Sequence, residues 1–164
     1  MRHPEWESRL NAVVAKHQAY WDGHNEPVVR EGQLPGAWGV SDCWTLTMDA
    51  VEAVQGKRIL SKLRKYKSEA AGYRLFAKAG FKTVEEALAS VLEPVPVLLA
   101  QRGDVGVIER DGVISSGVFT SAGFAVRTIY GRSDTIAGKK HETIIGFDLQ
   151  FLPLSAVKQA FQVR

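Results

Sequence analysis

One cysteine, four histidines and a short basic run are the residues whose chemistry could matter in this 164-residue chain. Cys43 follows the glycine-punctuated stretch Gly36-Ala37-Trp38-Gly39-Val40-Ser41-Asp42 and precedes a long apolar segment. With Ser41 as N-cap, Cys43 takes the second position of a helix. Unpaired N–H groups and the positive end of the helix dipole favour a thiolate there. A thiolate so placed is a nucleophile. The same position suits a small packing residue, because free cysteine is among the most buried types. Asp42 weighs toward packing, since an adjacent carboxylate opposes ionisation of the thiol.

A thiol nucleophile needs a base, normally a histidine held by a third polar group. His3 lies near the terminus. His17 falls on or beside the apolar stripe of the first helix, where a hydrogen-bonded packing role is expected. His24 lies in a loop. His141 is the one histidine in the second half, just before a strand, and is the candidate base. No two histidines have a metal-ligand spacing such as H-x-x-x-H, so no metal site is expected, and no cofactor is indicated.

Lys57, Arg58, Lys62, Arg64, Lys65 and Lys67 form a basic run without an acidic residue. The formal charge is +3, so without these six residues the chain would be net acidic. The run could contact an anionic or protein partner, or it could be a solvated connector. Tyr66 is its single aromatic, so base stacking on nucleic acid is not indicated. The segment around 128–143 reads as an exposed loop or hairpin tip, either a subunit contact or a tolerated surface insertion. Trp6, Trp21, Trp38 and Trp44 are expected in the core.

The elements that must position these residues follow from hydrophobic spacing. Trp6, Leu10, Val13, Val14, His17 and Trp21 share a helical stripe that stops near Gly23. A loop from His24 to Gly39 follows. A mostly buried helix runs from about Asp42 to Gln55, closed by Gly56. Ser68 caps a helix through Ala79. Thr83 and Glu86 have capping-box spacing for a short helix ended by Pro94 and Pro96. Five strands then follow, at Asp104–Ile108, Val113–Phe119, Phe124–Ile129, Thr143–Phe147 and Gln150–Leu152. Asp111-Gly112 marks a hairpin. Leu154 to Phe161 reads as a last helical turn or two. The chain is expected to be one α+β domain, mainly helical over 1–93 and mainly strands over 97–164, with the helices on one face of an antiparallel sheet.

Composition sets the outer bounds. Apolar residues make up 45% and charged residues 24%, enough for a core and too balanced for a disordered chain or coiled coil. A single cysteine excludes an intrachain disulfide. No window approaches the roughly 20 apolar residues of a membrane span, and the N-terminal charges are not those of a secretory signal. Synthesis in the cytoplasm is expected, with the protein kept there or carried out within a larger assembly.

The segment Gly36–Trp44, continued by Met48-Asp49-Ala50-Val51-Glu52-Ala53-Val54-Gln55-Gly56, resembles a family of small phage and prophage proteins of uncharacterised function. Their pattern is a Trp-Gly, an Asp-Cys pair, then a helix ending in Ala-Val-Glu-Ala-x-x-Gly. The similarity continues through Tyr66, Ala70-Ala71-Gly72, Arg102-Gly103-Asp104-Val105, Leu152-Pro153-Leu154 and Ala160-Phe161-Gln162-Val163. It covers most of the chain, with an apparent insertion near 128–143. That family in turn resembles the NlpC-type, papain-like cysteine peptidases that cut peptidoglycan stem peptides. The resemblance implies a papain-like (NlpC-type) fold, in which Gly103-Asp104 opens the strand packed against the cysteine helix. It also implies a place in the phage tail, at the tip or in assembly, hence in the virion, with other tail proteins as partners.

In the peptidases the next strand starts with the catalytic histidine, usually His-Val-Gly-Ile. Here the stretch is Asp111-Gly112-Val113-Ile114-Ser115-Ser116-Gly117, and a serine hydroxyl is no base near neutral pH. Of the catalytic set only Cys43 carries over, and losing the base costs about 10²–10⁴-fold. The expectation is a tail-associated structural protein with a degenerate peptidase-like fold. The alternative is an active cysteine hydrolase on peptidoglycan. In it Cys43 attacks the amide, His141 or a partner's histidine is the base, and backbone N–H groups form the oxyanion hole. A third reading is an anion-binding module using the basic run.

Overall fold

Helix α2, Cys43–Gln55, is enclosed on almost every side, and the other elements are arranged around it. Trp44, Leu46, Met48, Ala50, Val51 and Val54 are all buried, which accounts for an apolar arc too wide for a surface helix. Asp42 caps its start. The Asp42 carboxylate accepts from Thr45 N (2.8 Å), and Thr45 Oγ1 accepts in return from Asp42 N (2.8 Å). Gly56, at φ 80°, ends the helix in the left-handed region.

The computed structural model describes residues 1–164. Helix α1 (Trp6–Lys16) packs along α2, and α3 (Glu69–Lys78) and the short α4 (Val84–Ala89) follow. Thr83 and Glu86 form the capping box expected from their spacing. The strands are β1 (Glu93–Val95), β2 (Val105–Arg110), β3 (Val113–Thr120), β4 (Gly123–Ile136), β5 (Lys139–Leu152) and β6 (Val157–Gln162). They form one antiparallel sheet in the order β1-β6-β2-β3-β4-β5. The chain is therefore α+β, with the helices leading and the sheet following.

Side-chain alternation divides the sheet between two apolar clusters. Val105, Val107, Val118, Ala125 and Phe161 join the helices, while Ile108, Phe119, Phe124, Val126 and Ala160 form the second cluster. Gly106 and Gly117 face each other across β2 and β3. A Cβ on Gly117 would meet the Phe124 ring and lie 2.3 Å from the Ala125 carbonyl oxygen, so only glycine fits under that ring.

Several expectations are corrected. The first helix ends at Lys16, because Tyr20 leaves it to pair with Val28 as an isolated bridge. Leu154–Ala156 is a single 3-10 turn, and Val157–Gln162 is strand β6, inserted between β1 and β2 rather than helical. Its neighbours supply ladder hydrogen bonds that outweigh a weak local helix pattern. β1 was not anticipated, since Pro94 argues against a strand interior; β1 lies at the sheet's edge, where proline is tolerated. The segment near 128–143 is a ribbon. β4 and β5 pair from Phe124↔Leu152 out to Ile136↔Lys139, turning at Ala137-Gly138 with φ of 52° and 76°. Of the four tryptophans only Trp44 is fully buried.

Asp104 fastens both chain ends to the sheet. It is wholly buried and accepts from Arg2 Nη2 (2.9 Å), Arg164 Nη1 (2.9 Å), Val163 N (3.0 Å) and Gln101 N (2.8 Å). The Gly103-Asp104 turn is thus a junction of termini. Removing this acceptor leaves the buried Val163 N–H without a partner and takes the counter-charge from two guanidiniums. Asp104→Ala is expected to cost roughly 3–5 kcal/mol, read as a lower urea midpoint at unchanged m-value.

Candidate functional site

Cys43 is the first residue of α2, with Asp42 rather than Ser41 as its cap. The Asp42 carboxylate is nearly saturated with donors. Besides Thr45 N, it accepts from Gly39 N (2.8 Å) and from Tyr66 Oη (2.7 Å). Gly39, at φ 79°, brings the loop so close to the Tyr66 carbonyl that a Cβ would lie 2.0 Å from that oxygen. Burial, then the Asp42 charge, pushes the Tyr66 phenol well above its ordinary range, so its proton stays on the hydrogen bond.

The thiol sits against β3. Burial and then the neighbouring Asp42 charge push Cys43 up to about 11, against opposing contributions from the Ser116 backbone and hydroxyl and the Ser115 hydroxyl. Of the two readings of this position, thiolate nucleophile and packing residue, these two effects favour the protonated, packing one. The cap is itself a full negative charge, whereas the helix end offers only about half a positive one. Thr47 and Ser116 complete the junction. Their hydroxyls lie 2.8 Å apart and donate to the Cys43 carbonyl at 2.8 and 3.1 Å.

A cleft of about 590 Å³ opens over Cys43. It exists because the β3–β4 ladder is short. Pairing ends at Val118↔Ala125, yet β3 begins at Val113 and β4 continues to Ile136. Val113, Ile114 and Ser115 line one side, Arg127 to Tyr130 another, and Tyr66, Tyr73 and Phe76 the helical side. Arg110 closes one end, donating to Gln150 Oε1 (2.9 Å) and Thr128 Oγ1 (3.0 Å). No histidine lines the cleft.

The histidines lie elsewhere. His141 stands opposite Asp134 near the tip of the β4–β5 ribbon, exposed, and is not brought to Cys43. His3 meets Glu5 N and Arg9, and His24 lies in a turn built on Asp22. His17 is wholly buried. Its Nε2 donates to Asp49 Oδ2 (2.8 Å), since a carboxylate only accepts, and its Nδ1 meets Ser41 Oγ (2.8 Å). The order Ser-His-Asp is that of a hydrolase relay. With Ser41 and His17 fully enclosed, it acts as a brace between α1, α2 and the loop before Cys43.

The basic run divides. Arg64 pairs with Asp49 and Arg58 with Glu52 (2.9 Å), while Lys57, Lys62, Lys65 and Lys67 stand exposed. Two residues of the cleft escaped the sequence reading. Arg127 is fully buried in β4, donates to the carbonyls of His17 (2.8 Å) and Leu34 (2.7 Å), and lies over the Phe147 ring; burial lowers it to about 10. Its signal was a charge inside an apolar strand. Tyr73, exposed on α3, carried no signal beyond its place in the helix.

The arrangement defines a class: an α+β domain with a cysteine at the start of a buried helix that packs on an antiparallel sheet, beneath an open cleft. The chain matches the family model described as a domain of unknown function, DUF6950, over residues 1–163, and it belongs to that family. No curated protein and no solved structure matches it. No helix is long and apolar enough to cross a membrane.

Two measurements follow from these environments. Alkylation of Cys43 by iodoacetamide at neutral pH is expected on the order of a hundredfold more slowly than a free thiol, with a rate still climbing as pH approaches 11. Because the folded value is raised, stability is expected to fall as pH rises from about 9 toward 11, a slope that Cys43→Ala removes. For Asp49, burial alone would raise the carboxyl, but hydrogen bonds from His17 and Arg64 bring it down to about 2. Its stabilisation is complete above about pH 4 and is lost as pH falls toward 2. Asp49→Asn should lower stability near neutrality by roughly 2 kcal/mol and flatten that acid limb.

Proposed function

We propose that this protein is a phage tail-associated structural protein, carried in the virion at the tail tip or used in tail assembly. Its scaffold is a degenerate papain-like (NlpC-type) cysteine-peptidase fold. One observation supports the reading above others. The helix-borne thiol faces Ser115 and Ser116 on β3, where an imidazole would have to stand, and burial beside Asp42 keeps it protonated. A protonated thiol without a base does not attack an amide. The cleft then serves as a contact surface for neighbouring tail proteins, its aromatic wall of Tyr66, Tyr73 and Phe76 suited to gripping a polypeptide segment.

The open cleft is also the feature that favours the alternative, a hydrolase acting on peptidoglycan stem peptides with a base supplied by a partner's histidine. Zymography on bacterial walls separates the two. The structural reading expects no clearing from the wild type. It expects Cys43→Ala phage to assemble infectious tails as wild type does, and the chain to copurify with tails from dissociated virions. Wall clearing abolished by Cys43→Ala, or a chain absent from virions and dispensable for tail assembly, overturns it.

A further inference from the structure

Beyond Tyr130 the β4–β5 ribbon leaves the sheet. No residue from Gly131 to Ile145 is buried, and Ile136, Ile144 and Ile145 are exposed. β5 is the last strand; its outer edge is hydrogen-bonded at Leu149, whose N donates to Ala19 O (3.2 Å), while the Trp21 ring lies on the face of Gly146. A two-stranded ribbon without a third strand is marginal in water, and its open edge is a template for pairing.

We propose that the outer edge of β5 over Lys139–Ile145 pairs antiparallel with the same edge of a second copy of this chain, about a two-fold axis at His141. A two-fold axis normal to a sheet keeps every side chain on its own face, so the axis must lie midway between one residue and its own copy rather than between two successive residues. Only a few registers remain. An axis at Lys140 sets that lysine against itself, and one at Glu142 sets two carboxylates together. The axis at His141 opposes the two His141 side chains, sets Lys140 against the second copy's Glu142 twice, and sets Lys139 against Thr143. Directly opposed unlike charges support a strand pair, and like charges oppose it.

The charges involved are free for the purpose. Neither Lys140 nor Glu142 has an ion-pair partner within its own chain. Burial, then the nearby Glu142 charge, raises the Glu69 carboxyl, so no cation of this chain offsets Glu142 there. On β4, by contrast, Arg132 and Asp134 already pair with each other at 3.1 Å. The ribbon thus carries one satisfied strand and one strand whose pattern complements itself. Pairing along a single short edge buries little area, so the dimer is weak, with Kd micromolar or above.

Sedimentation equilibrium of the full chain, taken up to roughly 0.5 mM, tests this. The wild type should move toward dimer mass. Lys140→Glu and Glu142→Lys should each weaken self-association about tenfold, with unchanged far-UV circular dichroism. The double exchange should recover it, and a mixture of the two single variants should form a mixed dimer, since each complements the other. A wild type that stays monomeric throughout overturns the proposal. So does a dimer indifferent to both single changes, or a double exchange that fails to recover.

Discussion

A buried carboxylate one residue from a thiol sets the chemistry of this molecule. Asp42 closes the first turn of α2, holds the glycine-rich loop through Gly39, and ties down the basic connector through Tyr66. Those three donors surround the carboxylate in the interior, where a charge is poorly screened. Cys43 therefore ionises against a fixed negative neighbour as well as against burial. The device that makes the helix start rigid also makes its first side chain a poor nucleophile. Stability and reactivity compete at the same helix start, and here stability prevails.

Asp104 and Asp49 repeat the pattern at other junctions. Each gathers donors from segments far apart in sequence: both termini at Asp104, and His17 after α1 and Arg64 of the connector at Asp49, itself on α2. A buried anion tolerates no loss of partners, so each site locks its segments together more sharply than apolar contact would. Apolar packing supplies the bulk of the fold. The three carboxylates fix the angles at which helices, loop and sheet meet, and hence the place of the Cys43 helix against β3.

The sequence carried much of this in local form. The capping box at Thr83, the turn at Asp111-Gly112, the enclosed helix after Asp42 and the order of helices before strands all depend on neighbours along the chain, and all are present. What was not legible depended on partners distant in sequence. Leu154 to Phe161 has a weak helical pattern, and only the vacant places beside β1 and β2 make it a strand. Ser41 and Asp42 are equally good caps by type. The choice rests on Tyr66, 24 residues away, whose hydroxyl reaches Asp42 and not Ser41, while His17 takes Ser41. The ribbon was hidden because Ala137-Gly138 is a weaker turn signal than Asn-Gly or Asp-Gly. Its outer residues, being exposed on both faces, show no alternation to read.

The cleft follows from that same ribbon. Had β4 kept its ladder with β3 beyond Val118↔Ala125, Val113 to Ser115 would have met Thr128 and Tyr130 directly, and Cys43 would lie under a closed sheet. Instead β4 turns away at the buried Arg127, whose guanidinium is held by carbonyls of the α1 end and of the loop at Leu34 rather than by β3. A charged side chain in a strand interior cannot be packed against an apolar neighbour without partners. Arg127 thus ties β4 to the end of α1 and to the loop at Leu34 just beyond the point where its ladder with β3 ends, and the opening above the thiol lies there.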